Sequence, residues 1–572
     1  MSELHAVDRH HRNFTISVLG RSSKVQWRSV VLAMVASAWA CSPGSGESDV
    51  GAGGSPGSGG APGGAGGVIG SGGDVVGSDG GAPSSGGVGV GGANAGGAPG
   101  SGGSGPGSGG APSGGVSGDG GGSGSGGASS CVPKGKARNP LITHIFTADP
   151  NAVVYGDRIF LYVSHDIDGQ EDYDMVDYRG FSSDDLVNWQ DHGVLIHADS
   201  LPWAGNLYAP GACSKGGKYY LYMPNGGDSI GVAVSDNPGG PFVDPLGESL
   251  ITRAIPGVED VDWLFDPACF VDDDGQAYLY FGGGPEESGD NGRVMRLNDD
   301  MISLKDTSAT KIVIPNFFEA MFVHKREGTY YLQYSSDFTP GNDASLQYMT
   351  STSPMSGFTH RGTFLPNANI NNGNNNHGSI VDFQGKTYLF YHARKLMQKL
   401  GTNKVNNRSV AVQELGYEAD GRLKSTTMST QDFTVDQIKC LDGFSEVEAE
   451  TLAAEKGIEV LGTAGQTVRV GELDDGDWVG YSQVDFRDGA TKLVLRVASA
   501  EGGGQIDVRV GGCGEFTGEP GTSIGTCTVA PTGGAQTYAE LTCAIAGPPG
   551  PQDLCLQFTG NPSFEIDSWH LE

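Results

Sequence analysis

A five-fold internal repeat in the middle of the chain limits the possible folds more than any other feature of the sequence. Each copy has a short apolar stretch, a polar turn that contains glycine, and a second stretch rich in aromatic residues. The copies lie at residues 149–162, 209–222, 266–280, 319–334 and 377–391. An equivalent leucine recurs at positions 161, 221, 279, 332 and 389, so the spacings are 60, 58, 53 and 57 residues.

The repeat predicts an all-β fold. Two alternating stretches joined by a glycine-containing turn predict a β-hairpin in each copy. A regular period of this length without helical periodicity is typical of propeller blades of about four strands each. The sequence therefore predicts a five-bladed β-propeller, and an irregular β-sandwich with similar hairpins is the alternative.

The segments on either side of the repeats differ from them in composition. Residues 42–130 are mainly Gly, Ser, Ala and Pro, without aromatic residues, lysine or arginine, and such a segment cannot form a core. We expect a disordered Gly-rich linker there and a propeller catalytic domain over 131–444. Residues 445–572 contain short strands separated by Gly-rich turns, which predict a β-sandwich (jelly roll).

The first 41 residues have the features of an export signal. Arg21, Lys24 and Arg28 precede an apolar run over 30–40 that ends at Cys41, and this run is too short to span a bilayer. Small residues before a cysteine resemble a bacterial lipoprotein signal, in which lipid on Cys41 would anchor the chain to the outer membrane; an ordinary cleaved signal peptide is the alternative. In both cases we expect a secreted or cell-surface protein on the extracellular side of a bacterial envelope.

The charge and the cysteines fit this location. A net charge of -32 argues against nucleic-acid binding, which requires a basic surface, and suits a soluble protein that acts on a neutral polymer. The other eight cysteines are an even number, which permits disulfides in an exported chain. Cys131 and Cys440 flank the repeats and are placed to join their ends, whereas Cys513, Cys527, Cys543 and Cys555 predict one or two local bridges.

The residues that open the repeats are the candidates for chemistry. In a propeller the first strand of each blade lines the central axis, so equivalent residues converge on one face. Those residues are Asp149, Ala209, Asp266, Glu319 and His377. Three crowded carboxylates cannot all ionise easily, so at least one pKa is expected to rise. A protonated acid and an ionised base are what glycoside hydrolysis requires.

Other residues near the repeat openings are candidates for binding. His377 is either a structural histidine or a residue that helps to hold a cation at the axis. Aromatic side chains are predicted to stack on sugar rings, and they are Trp203, Tyr208, Trp263, Phe317 and Phe318.

The segments THIFTADPNAVVYGDRIFLYVSHD, FDPACFVDDDGQAYLYFGG, FFEAMFVHKREGTYYLQYS and NNNHGSIVDFQGKTYLFYH resemble glycoside hydrolase family 43, most of all its arabinofuranosidases and xylosidases. The resemblance covers about residues 139–440 and implies a five-bladed propeller with an inverting mechanism. It implies that Asp149 is the general base, that Glu319 is the general acid and that Asp266 tunes and orients the acid. It also implies a central calcium near His377 and a substrate-side arginine at Arg394.

The C-terminal segment, with EVEAE at 446–450, DDGDWVGYSQVDF and LCLQFTG, resembles carbohydrate-binding module family 6 over 445–572. The resemblance implies a structural calcium at Glu448, Glu450 and Asp567. Glu472 and Ala535 stand where the family has a tyrosine and a tryptophan, so we expect weak sugar binding at its usual cleft because stacking is lost.

These observations together predict an inverting hydrolase that removes α-L-arabinofuranosyl residues from arabinoxylan or arabinan. A β-xylosidase acting on xylo-oligosaccharides is the nearest alternative. A non-catalytic surface protein that binds glycans is a different class, which the three carboxylates disfavour because crowded negative charge brings nothing to a lectin. The expected partner is a plant cell-wall polysaccharide, and no cofactor is expected for the chemistry, calcium being structural.

Overall fold

The repeats form five antiparallel sheets that follow one another along the chain. The structure, a computed structural model, describes residues 131–572 apart from 171–172, 286–289, 340–342, 373 and 515–519. After β1 (Lys136–Arg138), sheet 1 contains β2 (Phe146–Tyr155), β3 (Arg158–Asp166), β4 (Asp177–Ser183) and β5 (Trp189–His197). Sheet 2 contains β6 (Gly211–Lys215), β7 (Lys218–Asn225) and β8 (Ser229–Ser235). Sheet 3 contains β9 (Ala268–Val271), β10 (Ala277–Phe281), β11 (Gly292–Arg296) and β12 (Thr310–Ile312).

Sheets 4 and 5 complete the series. Sheet 4 contains β13 (Phe317–Arg326), β14 (Thr329–Ser336), β15 (Leu346–Ser351) and β16 (Thr359–Leu365), and sheet 5 contains β17 (Gly378–Phe383), β18 (Lys386–Ala393) and β19 (Ser409–Leu415). The helical elements of the described residues are short, namely 3-10 turns at Ala198–Ser200 and Asn369–Asn371 and helix α1 (Lys395–Leu400). The prediction of an all-β chain with one hairpin per repeat is confirmed. Sheets 2 and 5 have three strands rather than the predicted four.

The first strands of the five sheets touch one another in a circle. β2 contacts β6, β6 contacts β9, β9 contacts β13, β13 contacts β17, and β17 returns to β2. Each of these strands carries the opening residue of its repeat or directly follows it. The circle therefore brings those residues together at its centre, although they are far apart in the sequence.

The two ends of the repeat region are joined to each other. β1 pairs with β20 (Phe433–Asp436), and the Asn139 side chain makes two hydrogen bonds with the backbone of Val412 in β19. The predicted bridge between Cys131 and Cys440 is present. A further disulfide, Cys213–Cys269, connects the first strands of sheets 2 and 3. The strand pairing, the Asn139 hydrogen bonds and the Cys131–Cys440 bridge thus join the ends of the circle, and the Cys213–Cys269 bridge reinforces the contact between two consecutive sheets.

The C-terminal segment forms two six-stranded sheets around one hydrophobic core. Its strands are β21 (Leu441–Asp442), β22 (Val447–Glu448), β23 (Thr451–Leu452), β24 (Ala454–Lys456), β25 (Glu459–Leu461), β26 (Arg469–Gly471), β27 (Trp478–Asp485), β28 (Lys492–Ser499), β29 (Gln505–Val510), β30 (Thr522–Thr528), β31 (Gly534–Ala544), β32 (Pro551–Thr559) and β33 (Glu565–Leu571). One sheet centres on β27, β32 and β29 and the other on β26, β33 and β28. Buried residues of both sheets share one core, for example Tyr481, Leu495, Val508, Leu556 and Trp569. The predicted local bridges are Cys513–Cys555 and Cys527–Cys543.

The C-terminal segment is attached directly to sheet 1. β23 lies beyond the predicted boundary at 444/445, yet it pairs with β5 and becomes the fifth strand of sheet 1. Beside this edge the Asn188 amide donates to the Ser482 carbonyl at 3.0 Å and accepts from the Ser482 amide at 2.8 Å. Gln437 adds a hydrogen bond to Asp185 at 2.9 Å, and all four residues are buried. All the described residues belong to one compact unit.

The predicted signal peptide over 1–41, its Cys41 and the predicted linker over 42–130 lie outside the described residues. Within residues 131–572, no described helix has the length and apolar character needed to cross a bilayer.

The contact between Asn188 and Ser482 makes the two parts of this unit depend on each other. We expect Asn188→Ala to destabilise the protein by about 1–3 kcal/mol, because it leaves buried backbone groups of Ser482 without partners. Differential scanning calorimetry should show one transition with a lowered Tm. Asn237→Ala, at an exposed asparagine, is the matched control; equal Tm values for the two variants would contradict the assignment.

Candidate active site

The three predicted carboxylates lie together at the centre of the strand circle. Asp149 is in β2, Glu319 is in β13, and Asp266 precedes β9 by two residues. Their exposed fractions are only 4%, 8% and 4%. Asp149 and Asp266 share a left-handed backbone, with φ values of 51° and 48°. This conformation is rare outside glycine and costs about 1–3 kcal/mol, so its occurrence at equivalent points of two repeats marks a site that the surrounding structure enforces.

Asp149 is held by a buried arginine that follows the last repeat. Nη1 of Arg408 donates to Oδ1 of Asp149 at 2.7 Å, and the hydroxyl of Ser164 donates to Oδ2 at 2.7 Å. Arg408 also binds Asp166 through Nε at 2.9 Å and Nη2 at 2.7 Å. The two-pronged contact with Asp166 fixes the plane of the guanidinium, so its remaining prong points at Asp149.

This contact decides the ionisation of Asp149. Burial by itself raises the pKa of a carboxyl group, but the Arg408 guanidinium together with the neighbouring imidazoles of His392 and His377 outweighs burial, and the pKa of Asp149 lies far below its ordinary value. Asp149 is therefore a carboxylate across the whole physiological range.

The pKa values of Asp266 and Glu319 are shifted in the opposite direction, above their ordinary values. Burial, followed by the negative charge of Asp149, raises the pKa of Glu319 to about 8. Burial and the charges of Glu319 and Asp149 also raise the pKa of Asp266 well above its ordinary value. Oδ2 of Asp266 accepts from the backbone amide of Ala320 at 2.9 Å, which ties it to the strand that carries Glu319. The two groups oppose each other's ionisation, so this pair retains a proton near neutral pH.

Two imidazoles complete the buried centre. Nδ1 of His377 lies 3.6 Å from Oδ1 of Asp149 and 3.8 Å from Oδ2 of Asp266, and burial lowers the pKa of His377 to about 4. Nε2 of His392 lies 2.9 Å from the Asn375 carbonyl, and because a carbonyl cannot donate, Nε2 carries the proton. Nδ1 of His392 is then the acceptor for the backbone amide of Asp149 at 3.3 Å.

Arg394, predicted to contact the substrate, is completely buried behind the site. Its Nε donates to the Val405 carbonyl, its Nη1 to Asn371 and the Asn375 carbonyl, and its Nη2 to the Asn375 side chain at 2.7 Å. The Asn375 side chain in turn acts on Glu319 and lowers its pKa, against the larger effect of burial. The sequence-based interpretation therefore needs correction: Arg394 acts on the site by orienting Asn375 and has no exposed surface to offer a sugar.

Aromatic rings form a wall next to the acidic pair. Trp263 lies 5.3 Å from Phe265 and 5.4 Å from Phe318, and Phe318 lies 5.1 Å from Phe338, measured between ring centroids in edge-to-face geometry. Phe265 and Phe318 directly precede Asp266 and Glu319 in the sequence. Phe338 is 47% exposed and provides the outer end of the wall. Trp263 and Phe318 thus belong to this wall, whereas Phe317 is buried.

Trp203 and Tyr208 have different surroundings. Trp203 packs on Gly231 of β8, and its indole donates to Asp244 at 2.8 Å. Its contacts are therefore with sheet 2 and with the segment that follows β8. Tyr208 lies close enough to Arg408 for the guanidinium charge to affect its pKa, which burial raises. Tyr173, which the sequence did not single out, lies with its ring 5.2 Å from the Arg408 guanidinium.

Three important residues of the site were missed from the sequence: Arg408, His392 and Asn375. Arg408 follows the last repeat and has no counterpart in the other copies. Asn375 lies in a polar run of asparagines next to His377, and His392 is two residues before Arg394 in the motif YHAR. The sequence thus carries a signal for Asn375 and His392, which lie two residues from the candidates His377 and Arg394, but none for Arg408.

The residues predicted to bind metal lie in two places. Next to His377, both polar atoms of the Asn376 side chain, Oδ1 of Asn151 and Oε1 of Gln333 are buried without partners among the described residues. In the C-terminal module, Glu448, Glu450 and Asp567 line one cavity of about 840 Å³. Oε2 of Glu450 is buried without a partner in the described part of the chain, and burial and the charge of Glu448 raise the pKa of Glu450. No three His, Cys, Asp or Glu side chains of the described residues form a complete metal site by themselves.

The arrangement is suited to general acid and base catalysis. It places an ionised carboxylate and a proton-bearing carboxyl pair in one buried centre. There the charge of each group strongly affects the pKa of its neighbours. This division of two carboxyl roles is what hydrolysis of a glycosidic bond requires.

Comparison with known proteins leads to the same chemistry. Residues 137–423 match glycosyl hydrolases family 43, and residues 448–572 match the carbohydrate binding module (family 6). The arabinoxylan arabinofuranohydrolase of Paenibacillus polymyxa is 34% identical over 479 residues, covering 76% of this chain and 74% of the relative. The enzyme of the same name from Bacillus subtilis (strain 168) is 35% identical over 481 residues, covering 76% and 92%. Xylosidase/arabinosidase 43A of Humicola insolens is 37% identical over 341 residues, covering 50% and 98%.

A solved structure extends the likeness to the fold. The family 43 arabinoxylan arabinofuranohydrolase from Bacillus subtilis, in complex with cellotetraose, has a TM-score of 0.69 at 35% identity and covers 78% of this chain and 99% of that chain. The sequence matches, the structural likeness and the buried acid and base lead to one conclusion: this chain belongs to glycosyl hydrolase family 43 and carries a C-terminal carbohydrate-binding module of family 6.

Proposed function

We propose that the chain is an inverting α-L-arabinofuranosidase that removes arabinofuranosyl groups from arabinoxylan. The observation that carries the proposal is the opposite ionisation of Asp149 and Glu319 within one buried centre. The names of the two relatives that align along most of their length support arabinoxylan as the substrate. Arabinan is the alternative polymer.

The reaction assigns one step to each carboxyl group. Asp149 accepts a proton from a water molecule while the water oxygen bonds to the anomeric carbon. Glu319 gives its proton to the glycosidic oxygen, which leaves with the electrons of the broken bond. Water attacks the face opposite the leaving group, so the configuration at the anomeric carbon inverts.

The remaining groups prepare these two. Arg408 keeps Asp149 ionised, and Asp266 helps to keep the proton on Glu319 while holding its strand through Ala320. Trp263, Phe318 and Phe338 offer ring surface to a sugar beside the acid. Arg394 sets the side chain of Asn375 against Glu319.

The architecture proposed for this chemistry is a five-bladed β-propeller followed by a β-sandwich. The circular contacts of the first strands support the propeller, and the shared core of the two C-terminal sheets supports the sandwich. We further propose that the chain is secreted or held at the cell surface through Cys41. Glu472 and Ala535 are exposed where aromatic rings were expected, which supports weak binding at the usual cleft of the C-terminal module.

A β-xylosidase is the second candidate, because a relative 37% identical is named xylosidase/arabinosidase. Parallel assays of 4-nitrophenyl α-L-arabinofuranoside and 4-nitrophenyl β-D-xyloside distinguish the two activities. Anomer analysis by NMR directly after turnover should show an inverted product.

Calcium fits both predicted positions. The unpartnered oxygens of Asn376, Asn151 and Gln333 next to His377 are the hard, neutral donors that a hydrated cation prefers, and Glu450 is a buried carboxylate among other acids. Calcium bound there would be held by these amide oxygens in one position and by Glu450 in the other, and it would supply positive charge beside the carboxylates. No proton transfer of the proposed reaction depends on it.

The leaving group provides a sharp test of Glu319. Glu319→Gln should reduce kcat/KM on arabinoxylan by about a thousandfold or more, because the alkoxide leaving group needs a proton. On 4-nitrophenyl α-L-arabinofuranoside the loss should be much smaller, since nitrophenolate leaves without one. Asp149→Asn is the matched control and should reduce both rates equally. Equal losses for both substrates in Glu319→Gln would refute its role as the acid.

The pH profile tests the contact between Arg408 and Asp149. In the parent enzyme kcat/KM should stay level from pH 4 upwards and fall above about pH 8, where Glu319 loses its proton. In Arg408→Gln the strongest influence that opposes burial of Asp149 is lost, so its pKa rises and an acid limb should enter the range above pH 4. Arg408→Lys should restore much of the parent profile, and Arg179→Gln should leave it unchanged. An unchanged acid side in Arg408→Gln would show that Arg408 does not control Asp149.

Removal of calcium should lower stability. We expect EDTA to lower the Tm and added CaCl2 to restore it, because the buried Oε2 of Glu450 otherwise has no partner among the described residues and lies near the acidic Glu448 and Asp567. Glu450→Gln, which removes this carboxylate ligand, should make the Tm less sensitive to EDTA. A Tm that does not respond to EDTA in the parent protein would contradict calcium binding at either position.

A further inference from the structure

A second cavity lies at the other end of the sheet that carries Glu319. It has a volume of about 640 Å³ and is lined by residues that include Arg326, Tyr331, Thr350, Arg361, Asp420 and Arg422. Glu319 is near the start of β13 and Arg326 is its last residue. Seven residues of a strand span roughly 20 Å, so this cavity is separate from the active site.

Three arginines meet at this cavity in a chain whose net charge is -32. Two of them already have acidic partners: Arg326 lies 3.4 Å from Glu327, and Arg422 lies 2.8 Å from Asp420. Arg361 differs, because its Nε donates to the Thr350 hydroxyl at 2.7 Å and no carboxylate of the described residues is within ion-pair distance. Its two terminal nitrogens are therefore available to bind a carboxylate with both prongs.

The cavity is built on a rigid base of stacked rings. The rings of His324, Tyr331 and Tyr348 are stacked at 4.8 Å and 6.3 Å, with interplanar angles of 8° and 15°. The Tyr331 hydroxyl donates to the Gly421 carbonyl at 2.6 Å, and the Tyr348 hydroxyl accepts from the Leu423 amide at 3.2 Å. These bonds fix the turn that forms one wall, so the cavity is organised before any ligand arrives.

The mixture of charges selects among anions. Glu327 and Asp420 line the same cavity as the arginines, and they repel a doubly charged phosphate. The same carboxylates accept hydrogen bonds from hydroxyl groups, as do the threonine and tyrosine hydroxyls. The surroundings thus suit a ligand with one negative charge and many hydroxyls, and the volume is in the range of pockets that bind small molecules.

We propose that this cavity binds a uronic acid residue of a polysaccharide, with Arg361 as the contact to its carboxylate. The choice of a uronate carried by a polysaccharide rests on the proposed function; the preference for a hydroxylated monoanion rests on the cavity alone. Because the site is at the far end of sheet 4, it holds an acid-substituted chain while the active site stays free. It also provides local attraction for an anionic polymer that the net charge of the protein repels.

Binding measured without turnover tests the proposal. In the full chain carrying Glu319→Gln, isothermal titration should show at least tenfold tighter binding of glucuronoxylan than of the same polymer with its carboxyl groups reduced to alcohols. Adding Arg361→Gln should shrink this preference to less than twofold, and Arg361→Lys should keep part of it. Arg487→Gln, at an exposed arginine of the C-terminal module that pairs with Asp442, should change nothing.

The outcomes separate this proposal from the proposed function. Equal binding of the native and reduced polymers, or an unchanged preference in Arg361→Gln, would overturn it. Inorganic phosphate that competes at the same concentration as methyl glucuronide would overturn the uronate in favour of a general anion site. In the otherwise unaltered enzyme, Arg361→Gln should leave kcat/KM for 4-nitrophenyl α-L-arabinofuranoside unchanged; a parallel loss would assign Arg361 a structural role. Absence of hydrolysis in the parent would refute the arabinofuranosidase but leave the binding result intact.

Discussion

The buried ion pair between Arg408 and Asp149 is the contact on which the rest of the active site depends. Three carboxyl groups with 4–8% exposure cannot all be charged in a medium that solvates charge poorly. Arg408 resolves this by stabilising one negative charge, on Asp149. That charge then discourages ionisation of Glu319 and Asp266. Burial and one guanidinium thus give different ionisation states to side chains that are chemically almost alike, as the proposed base and acid require.

The second requirement is that the guanidinium itself be held still. Asp166 binds two sides of Arg408 and lies at the end of β3, the strand that pairs with the one carrying Asp149. The hairpin predicted for the first repeat therefore supplies both the base and the anchor of its cationic partner. Opposite it, Arg394 orients Asn375 towards Glu319. Each of the two carboxyl groups thus has a positioned arginine near it: Arg408 contacts Asp149 directly and is held by Asp166, whereas Arg394 acts on Glu319 through Asn375.

Much of this architecture could be predicted because the repeat encodes it. Alternating residues and glycine-containing turns define the hairpins locally, and equivalent positions of a circular arrangement must meet. Asp149, Asp266 and Glu319 could therefore be named without coordinates. Arg408 could not, since it contacts Asp149 across 259 positions of sequence and lies outside the repeated pattern. Arg394 shows a related limit: the family resemblance implied a substrate contact for it, but only the structure reveals that Arg394 is buried and acts on Glu319 through Asn375, whereas His392 contacts Asp149.

The C-terminal module has a structural effect that does not depend on sugar binding. β5 is the outer strand of sheet 1, and an uncovered edge strand offers unpaired backbone groups to other chains. β23 covers that edge, and Asn188 and Gln437 add buried hydrogen bonds next to it. Sheet 1 is also the sheet that holds Asp149 and Asp166. Glu472 and Ala535 are exposed where the family resemblance implies aromatic rings, and the module nevertheless closes the edge of the sheet that carries Asp149, the proposed general base.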